Sequence, residues 1–170
     1  MIGVKLMISN GHDTDTYRDR AQDVIARLQH MFLYQMTNAN LYLSEWDYRR
    51  DPSMVLPAGG IATRSLAMVD SSEGLIAILG PTVPRVTSKE IRRACQRIRD
   101  RERVEMWTFV NPDQITPSHD RFFARIKKDF GQEIVWSRYH NELEFQAMLF
   151  TTLVPYLAGR AGAHFPGVVT

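Results

Sequence analysis

Apolar runs of strand length alternate along this chain with stretches in which apolar residues recur every three or four positions, and that alternation predicts a succession of strands and helices. The first run is residues 4–8. After a polar turn, Tyr17, Ala21, Val24, Ile25, Leu28, Met31 and Phe32 recur at helical spacing. They predict an amphipathic helix from Thr14 or Asp15 to about Gln35, with Asp13, Thr14 and Asp15 available to cap it. Residues 41–46 form a second apolar run, and the polar, proline-bearing residues 47–57 read as a long loop. A weaker helix is predicted over residues 58–69. Residues 74–79 (GLIAIL) carry no polar side chain, as a central parallel strand buried on both faces requires. Gly80 and Pro81 stop it.

From Thr87 the period is helical again, with Ile91, Ala94, Cys95 and Ile98 on one stripe and Thr87 or Ser88 as the expected cap. Residues 104–110 (VEMWTFV) predict a fourth strand, ended by the Asn111-Pro112 turn. Phe122, Phe123, Ile126 and Phe130 predict a further helix, residues 133–136 a short fifth strand, and residues 141–157 a last helix carrying Leu143, Ala147, Phe150, Leu153 and Val154. Strand–helix units of about 30 residues, the usual size of a βαβ building block, fill nearly the whole chain. The expectation is one α/β domain over residues 1–158, with a loosely ordered tail over residues 159–170. Its fold class is a flavodoxin-like doubly wound sheet of about five parallel strands with helices on both faces. Such sheets bind ligands at the carboxyl ends of their strands, which directs attention to residues 9–13, 47–51, 80–90 and 111–113.

Composition narrows the classes. With 44% hydrophobic and 24% charged residues the chain reads as a soluble globular protein, and 21 Lys and Arg against 19 Asp and Glu leave a net charge of only +2. That is too little to attract nucleic acid or a membrane through the global field. The single cysteine, Cys95, excludes an internal disulfide framework and a cysteine-cluster zinc site, and favours a cytoplasmic setting. The apolar N-terminal run is too short for a signal or membrane segment. The five histidines are scattered without ligand spacing, so no metal site is expected. No GxGxxG follows the first strand, and GxxxxGK[ST], GxSxG and HExxH are absent, which argues against dinucleotide dehydrogenases, P-loop NTPases, α/β-hydrolases and zincins. One local bias stands out: Arg85, Lys89, Arg92, Arg93, Arg97, Arg99, Arg101 and Arg103 crowd one helix and its end. They read either as a solvated helix face or as an anion site. No aromatic residue interleaves with them, so nucleic acid is not an expected partner.

Several fragments carry a resemblance when taken in order. A first strand ends in Ile8-Ser9, and a polar loop leads to a helix with Tyr17, Arg18 and Asp19. Glu45-Trp46-Asp47 follows the second strand, and Asp70 precedes a buried strand ending in Leu79-Gly80. Ser88, Glu90 and Ala94 then open the next helix. In this order and spacing, over about 110 residues, the chain resembles the superfamily of Toll/interleukin-1-receptor-like (TIR-like) and nucleoside 2-deoxyribosyltransferase-like domains. Within it, the chain is most similar to a TIR-like domain often fused to NTPase or repeat modules.

The resemblance implies a carboxylate that attacks the anomeric carbon of a nucleoside or nicotinamide nucleotide, or stabilises its oxocarbenium-like transition state. Glu90 matches that position. Ser9, Asp70 and Trp46 would position ribose and base, Ser88 would join the substrate-binding residues, and basic residues near Arg92 would hold phosphates. No resident cofactor is implied; NAD or a related nucleotide would be substrate. Plainer readings stand beside these. Thr87-Ser88-Lys89-Glu90 fits the S/T-x-x-E capping box, which would place Glu90 in the first helical turn, where the macrodipole keeps it ionised. Asp70 could begin a turn, Ser9 and Asn10 could form a simple strand–helix turn, Arg18 and Asp19 could pair on a helix surface, and Trp46 could pack in the core. Two functions therefore stay open: a nucleotide-recognising domain that hydrolyses an N-glycosidic bond, as in NAD cleavage, and a non-catalytic signalling or assembly module that self-associates or docks an acidic partner.

Overall fold

The computed structural model describes residues 2–35, 41–46 and 60–161. Strand β1 (Ile2–Asn10) leads through a short 3-10 turn (His12–Thr14) into helix α1 (Asp15–His30), which ends in a π turn (Met31–Gln35). Then follow β2 (Leu41–Trp46), α2 (Gly60–Ser71), β3 (Gly74–Leu79), α3 (Arg85–Arg99), β4 (Glu105–Val110), α4 (Pro117–Phe130), β5 (Trp136–Arg138) and α5 (Glu142–Ala161). The five strands form one sheet in the order β2-β1-β3-β4-β5, and every pairing is parallel. This is the flavodoxin-like order, in which the direction of winding reverses between β1 and β3.

Alternation along the strands builds two cores. Val4, Leu6 and Ile8 of β1, with Ile76, Ile78 and Phe109, meet α1 and α5 on one face. Met7, Leu75, Ala77, Leu79 and Val110 meet α2, α3 and α4 through Val69, Ile91, Ala94, Cys95 and Ile126 on the other. β3 is buried along its whole length, as its unbroken apolar run requires. Cys95 sits within the second core, where burial pushes its thiol up to about 11, so it is packed as a small apolar group. No helix among the described residues is long and apolar enough to cross a membrane.

Several boundaries differ from the pattern-based expectation, each for a physical reason. The fifth strand is displaced from residues 133–136 to Trp136–Arg138. Val135 is 83% exposed, and only from Trp136 does the chain reach the β4 ladder, at Thr108; so short an apolar run does not fix its own register. In α5 the buried stripe is Phe145, Leu149, Leu153 and Leu157, whereas Leu143 is 77% exposed. Apolar residues lie on more than one side of this helix, so the pattern alone mistook its phase. α5 continues through Ala161, past the predicted end of the domain; residues 162–170 and the loop expected over residues 47–57 lie outside the described residues.

The arginine-rich helix α3 is held largely within the chain. Arg97 is buried, and its Nη1 donates to the carbonyls of Val69 and Ser72 (2.7 Å for the latter), while its Nε donates to Glu102 at 2.6 Å. It thereby supplies donors to two carbonyls at the end of α2, of which that of Val69 also accepts from the Ser72 N–H at 3.2 Å. Arg92 pairs with Asp129 of α4 at 2.9 Å, and Arg92 and Arg99 both lie over the Phe130 ring. Removing the Arg97 side chain takes the donor from the Ser72 carbonyl and one of two donors from the Val69 carbonyl, so Arg97→Ala should lower stability by about 1–3 kcal/mol. Arg93→Ala breaks only a half-exposed, solvent-screened pair with Asp70, and should cost less than about 1 kcal/mol. Urea denaturation of the two variants checks this; equal losses would contradict it.

Candidate functional site

Where the winding reverses, α1 leaves on one face of the sheet and α3 on the other, and the loops after β1 and β3 part to leave a crevice. Two glycines allow these loops to approach. A Cβ on Gly11 would lie 2.6 Å from both Asp13 Oδ1 and Pro84 Cγ, and one on Gly80 would lie 2.8 Å from Asp13 Oδ2 and Thr14 Cγ2. The Thr82 hydroxyl adds a bond to Asp13 at 3.3 Å. The crevice is a cavity of about 570 Å³ whose lining includes Asn10, Asp13, Arg18, Ser65, Thr87 and Glu90. That volume suits a nucleoside-sized ligand.

Glu90 is the buried acid of this cavity, at 5% exposure. Helix α3 begins at Arg85, after Pro84 in an extended conformation. Glu90 therefore stands in the second turn and is no capping-box residue, and neither Thr87 nor Ser88 is the N-cap. Proline preorganises a helix start without donating a hydrogen bond, and here it moved the start upstream. On the inward stripe with Thr87, Ile91 and Ala94, Glu90 faces β1. The Ser9 hydroxyl donates to Glu90 Oε2 in a short bond, and Ser65 of α2 supplies a second hydrogen bond. The shift runs opposite to the one the macrodipole would give. Burial raises the Glu90 pKa above its ordinary 4.5, and the bonds from Ser9 and Ser65 and the charge of Arg18 offset this only in part.

Arg18 is 3% exposed, so the reading of it as a surface residue does not hold. Its Nη1 donates to the Ile8 carbonyl at 3.3 Å and to Asn10 Oδ1 at 2.7 Å. Asn10 in turn donates to Asp15 Oδ1 at 3.0 Å. The end of β1 and the start of α1 are thus tied into one polar chain beneath the cavity.

Of the residues singled out in the sequence, the structure brings Ser9 and Glu90 together. Asp70 does not line the cavity; it is exposed at the end of α2 and pairs with Arg93. Arg92 points to α4 and Asp129, and Ser88 is likewise absent from the described lining. Trp46 ends β2 in register with Met7, and its side chain lies outside the described residues. Ser65 carried a signal that went unread, a serine on the inward stripe of α2 four residues before Val69. Both are buried. His119 is buried as well, but in a structural role. Its Nδ1 accepts from the Thr116 backbone N–H at 3.1 Å, which assigns the proton to Nε2, 2.9 Å from the Gly80 carbonyl. Among the described residues no group of three or more His, Cys, Asp or Glu could hold a metal ion.

No protein-family model matches the chain, and no curated protein matches it in sequence. Among solved structures it is similar to the CMP N-glycosidase BcmB of Clostridium botulinum, with a TM-score of 0.52 and 13% identity over 87% of this chain and 98% of that one. It is also similar to the homoserine dehydrogenase of S. aureus, with a TM-score of 0.45 and 12% identity over 83% of this chain and 33% of that one. The first likeness spans nearly both chains and establishes a shared α/β fold.

A Glu whose folded pKa is raised contributes stability below its unfolded value and loses that contribution as pH rises through the folded value. Glu90→Gln is free of this loss. Its melting temperature should therefore gain on that of the native protein as pH is raised from below 4.5, the ordinary carboxylate value, to neutrality. Thermal unfolding across that range checks this; a constant difference would contradict it.

Proposed function

We propose that this chain hydrolyses the N-glycosidic bond of a nucleotide-type substrate and that Glu90 is the group that meets the anomeric carbon. The observation that carries the reading is a buried carboxylate, held by two hydroxyl donors, in a nucleoside-sized cavity at the switch point of the sheet. Glycosidic cleavage needs this combination. As the bond to the base breaks, positive charge develops at the anomeric carbon and ring oxygen, and a carboxylate in a water-poor site stabilises it or adds to the carbon. Desolvation that raises the Glu90 pKa also makes its ionised form more basic, while Ser9 and Ser65 hold an oxygen in place. The balance is hydrolytic: the base leaves with a proton, and the hydroxyl of water ends on the anomeric carbon. Support also comes from the full-length likeness in fold to an enzyme named as a CMP N-glycosidase.

A pyrimidine nucleoside monophosphate is the first substrate to test, and NAD, which the TIR-like resemblance favours, the second. The alternative of an assembly module rests on the arginine-rich helix, whose Arg92, Arg93 and Arg97 have partners within the chain.

Incubation with CMP, other nucleoside monophosphates and NAD, followed by chromatography of free base or nicotinamide, should show release that falls by roughly 10²–10⁴-fold in Glu90→Gln. Because only the carboxylate form meets the developing cation, the rate should rise with pH through the raised Glu90 pKa and then level. Release that is absent from every substrate, or unchanged in Glu90→Gln, would overturn the reading.

A further inference from the structure

The polar chain beneath the cavity has a geometry that reaches beyond Glu90 itself. Side chains alternate along β1, so Ile8 and Asn10 belong to the α1 side of the sheet and Ser9 to the α3 side. The Arg18 guanidinium holds the Ile8 carbonyl at 3.3 Å and the Asn10 side chain at 2.7 Å, the residues immediately before and after Ser9. With both neighbours held, the backbone at Ser9 has little freedom, and its hydroxyl is directed to Glu90.

We propose that Arg18 is the positioning residue of this site, gripping both neighbours of Ser9 so that the hydroxyl is aimed at Glu90, and bringing a positive charge to the cavity that Glu90 lines. Both bonds come from Nη1, whose two N–H groups point in fixed directions within the rigid guanidinium plane, whereas an ammonium turns on a flexible stem. Asn10 anchors the guanidinium and is itself held by Asp15 and the Gly11 carbonyl. Other groups also face the cavity. His12 and Asp13 come from the segment joining β1 to α1, Asp15 from the first turn of α1, and α2 offers the uncharged Ser65. Arg18 is the charge that acts to lower the Glu90 pKa against burial. The inference rests on the proposed catalytic role of Glu90 only for its effect on rate; the positioning itself is readable without substrate.

Carbon-detected NMR of protein carrying ¹³C-carboxyl-labelled glutamate, with the Glu90 signal assigned by its loss in Glu90→Gln, reads the titration midpoint directly. In Arg18→Gln the midpoint should move upward, and in Arg18→Lys, which keeps the charge, it should move less. An unchanged midpoint in folded Arg18→Gln overturns the proposal. Should that variant fail to fold, Asn10→Ala keeps the charge and removes its anchor; an upward shift supports the proposal, and an unchanged midpoint overturns it. Where base release is measurable, the acid limb of kcat should rise in parallel while KM changes less. Base release with an unmoved midpoint would sink the positioning role alone. A moved midpoint without base release would leave it standing and remove the catalytic reading.

Discussion

Taking a carboxylate out of water costs several kcal/mol unless donors or charges replace its hydration, and this chain buries one at the end of its first strand. Glu90 comes from α3 on one face of the sheet, and the Arg18 charge from α1 on the other. They share one cavity only because β1 and β3 are neighbours at the point where the winding reverses. Gly11 and Gly80 let the two loops approach at that point, and the fully buried β3 fixes the register on which both loops stand. The sheet order, the glycines and the hydroxyls of Ser9 and Ser65 thus serve one requirement, an acid held in a crevice, whose burial displaces its pKa upward against the two hydroxyls.

That displacement is what the proposed reaction draws on. A Glu in the first turn of an exposed helix is stabilised as a charge and is a poor base. In the second turn, facing a strand, the same residue is raised by desolvation. The difference turns on where α3 begins. Pro84 moves that start a few residues upstream of the serine and threonine that resemble a cap.

The central elements were legible in the sequence because periodicity and packing agree there. β3 falls on its predicted residues, since an apolar run buried on both faces has little freedom of register, and β2 also keeps its predicted bounds. β5 was less legible because so short a run meets β4 at only three residues, and the phase of α5 because its apolar residues lie on more than one side of the helix. Within the site, Ser9 and Glu90 were readable from position and resemblance, and the carboxylate on the apolar stripe of α3 was a signal in its own right. Ser65, and Arg18 as a buried residue, were harder to see because their partners are 25 and 8 or more positions away or lie on another element. Asp70 and Arg92 show the converse: charged residues near a candidate acid in sequence turned to the outer faces of their helices and found partners there. Arg97 combined both lessons, since one of the arginines that looked like a binding surface is a buried cap for α2.

The most direct test of the account is a crystal structure of Glu90→Gln soaked with a nucleoside monophosphate, since the substitution keeps the shape of the acid and removes its charge. The account predicts the sugar seated in the cavity beside Ser65, with its anomeric carbon about 3–3.5 Å from the side chain at position 90, the separation of a near-attack geometry. A nucleotide bound elsewhere on the chain, or one in this cavity with its anomeric carbon turned away from position 90, would contradict it.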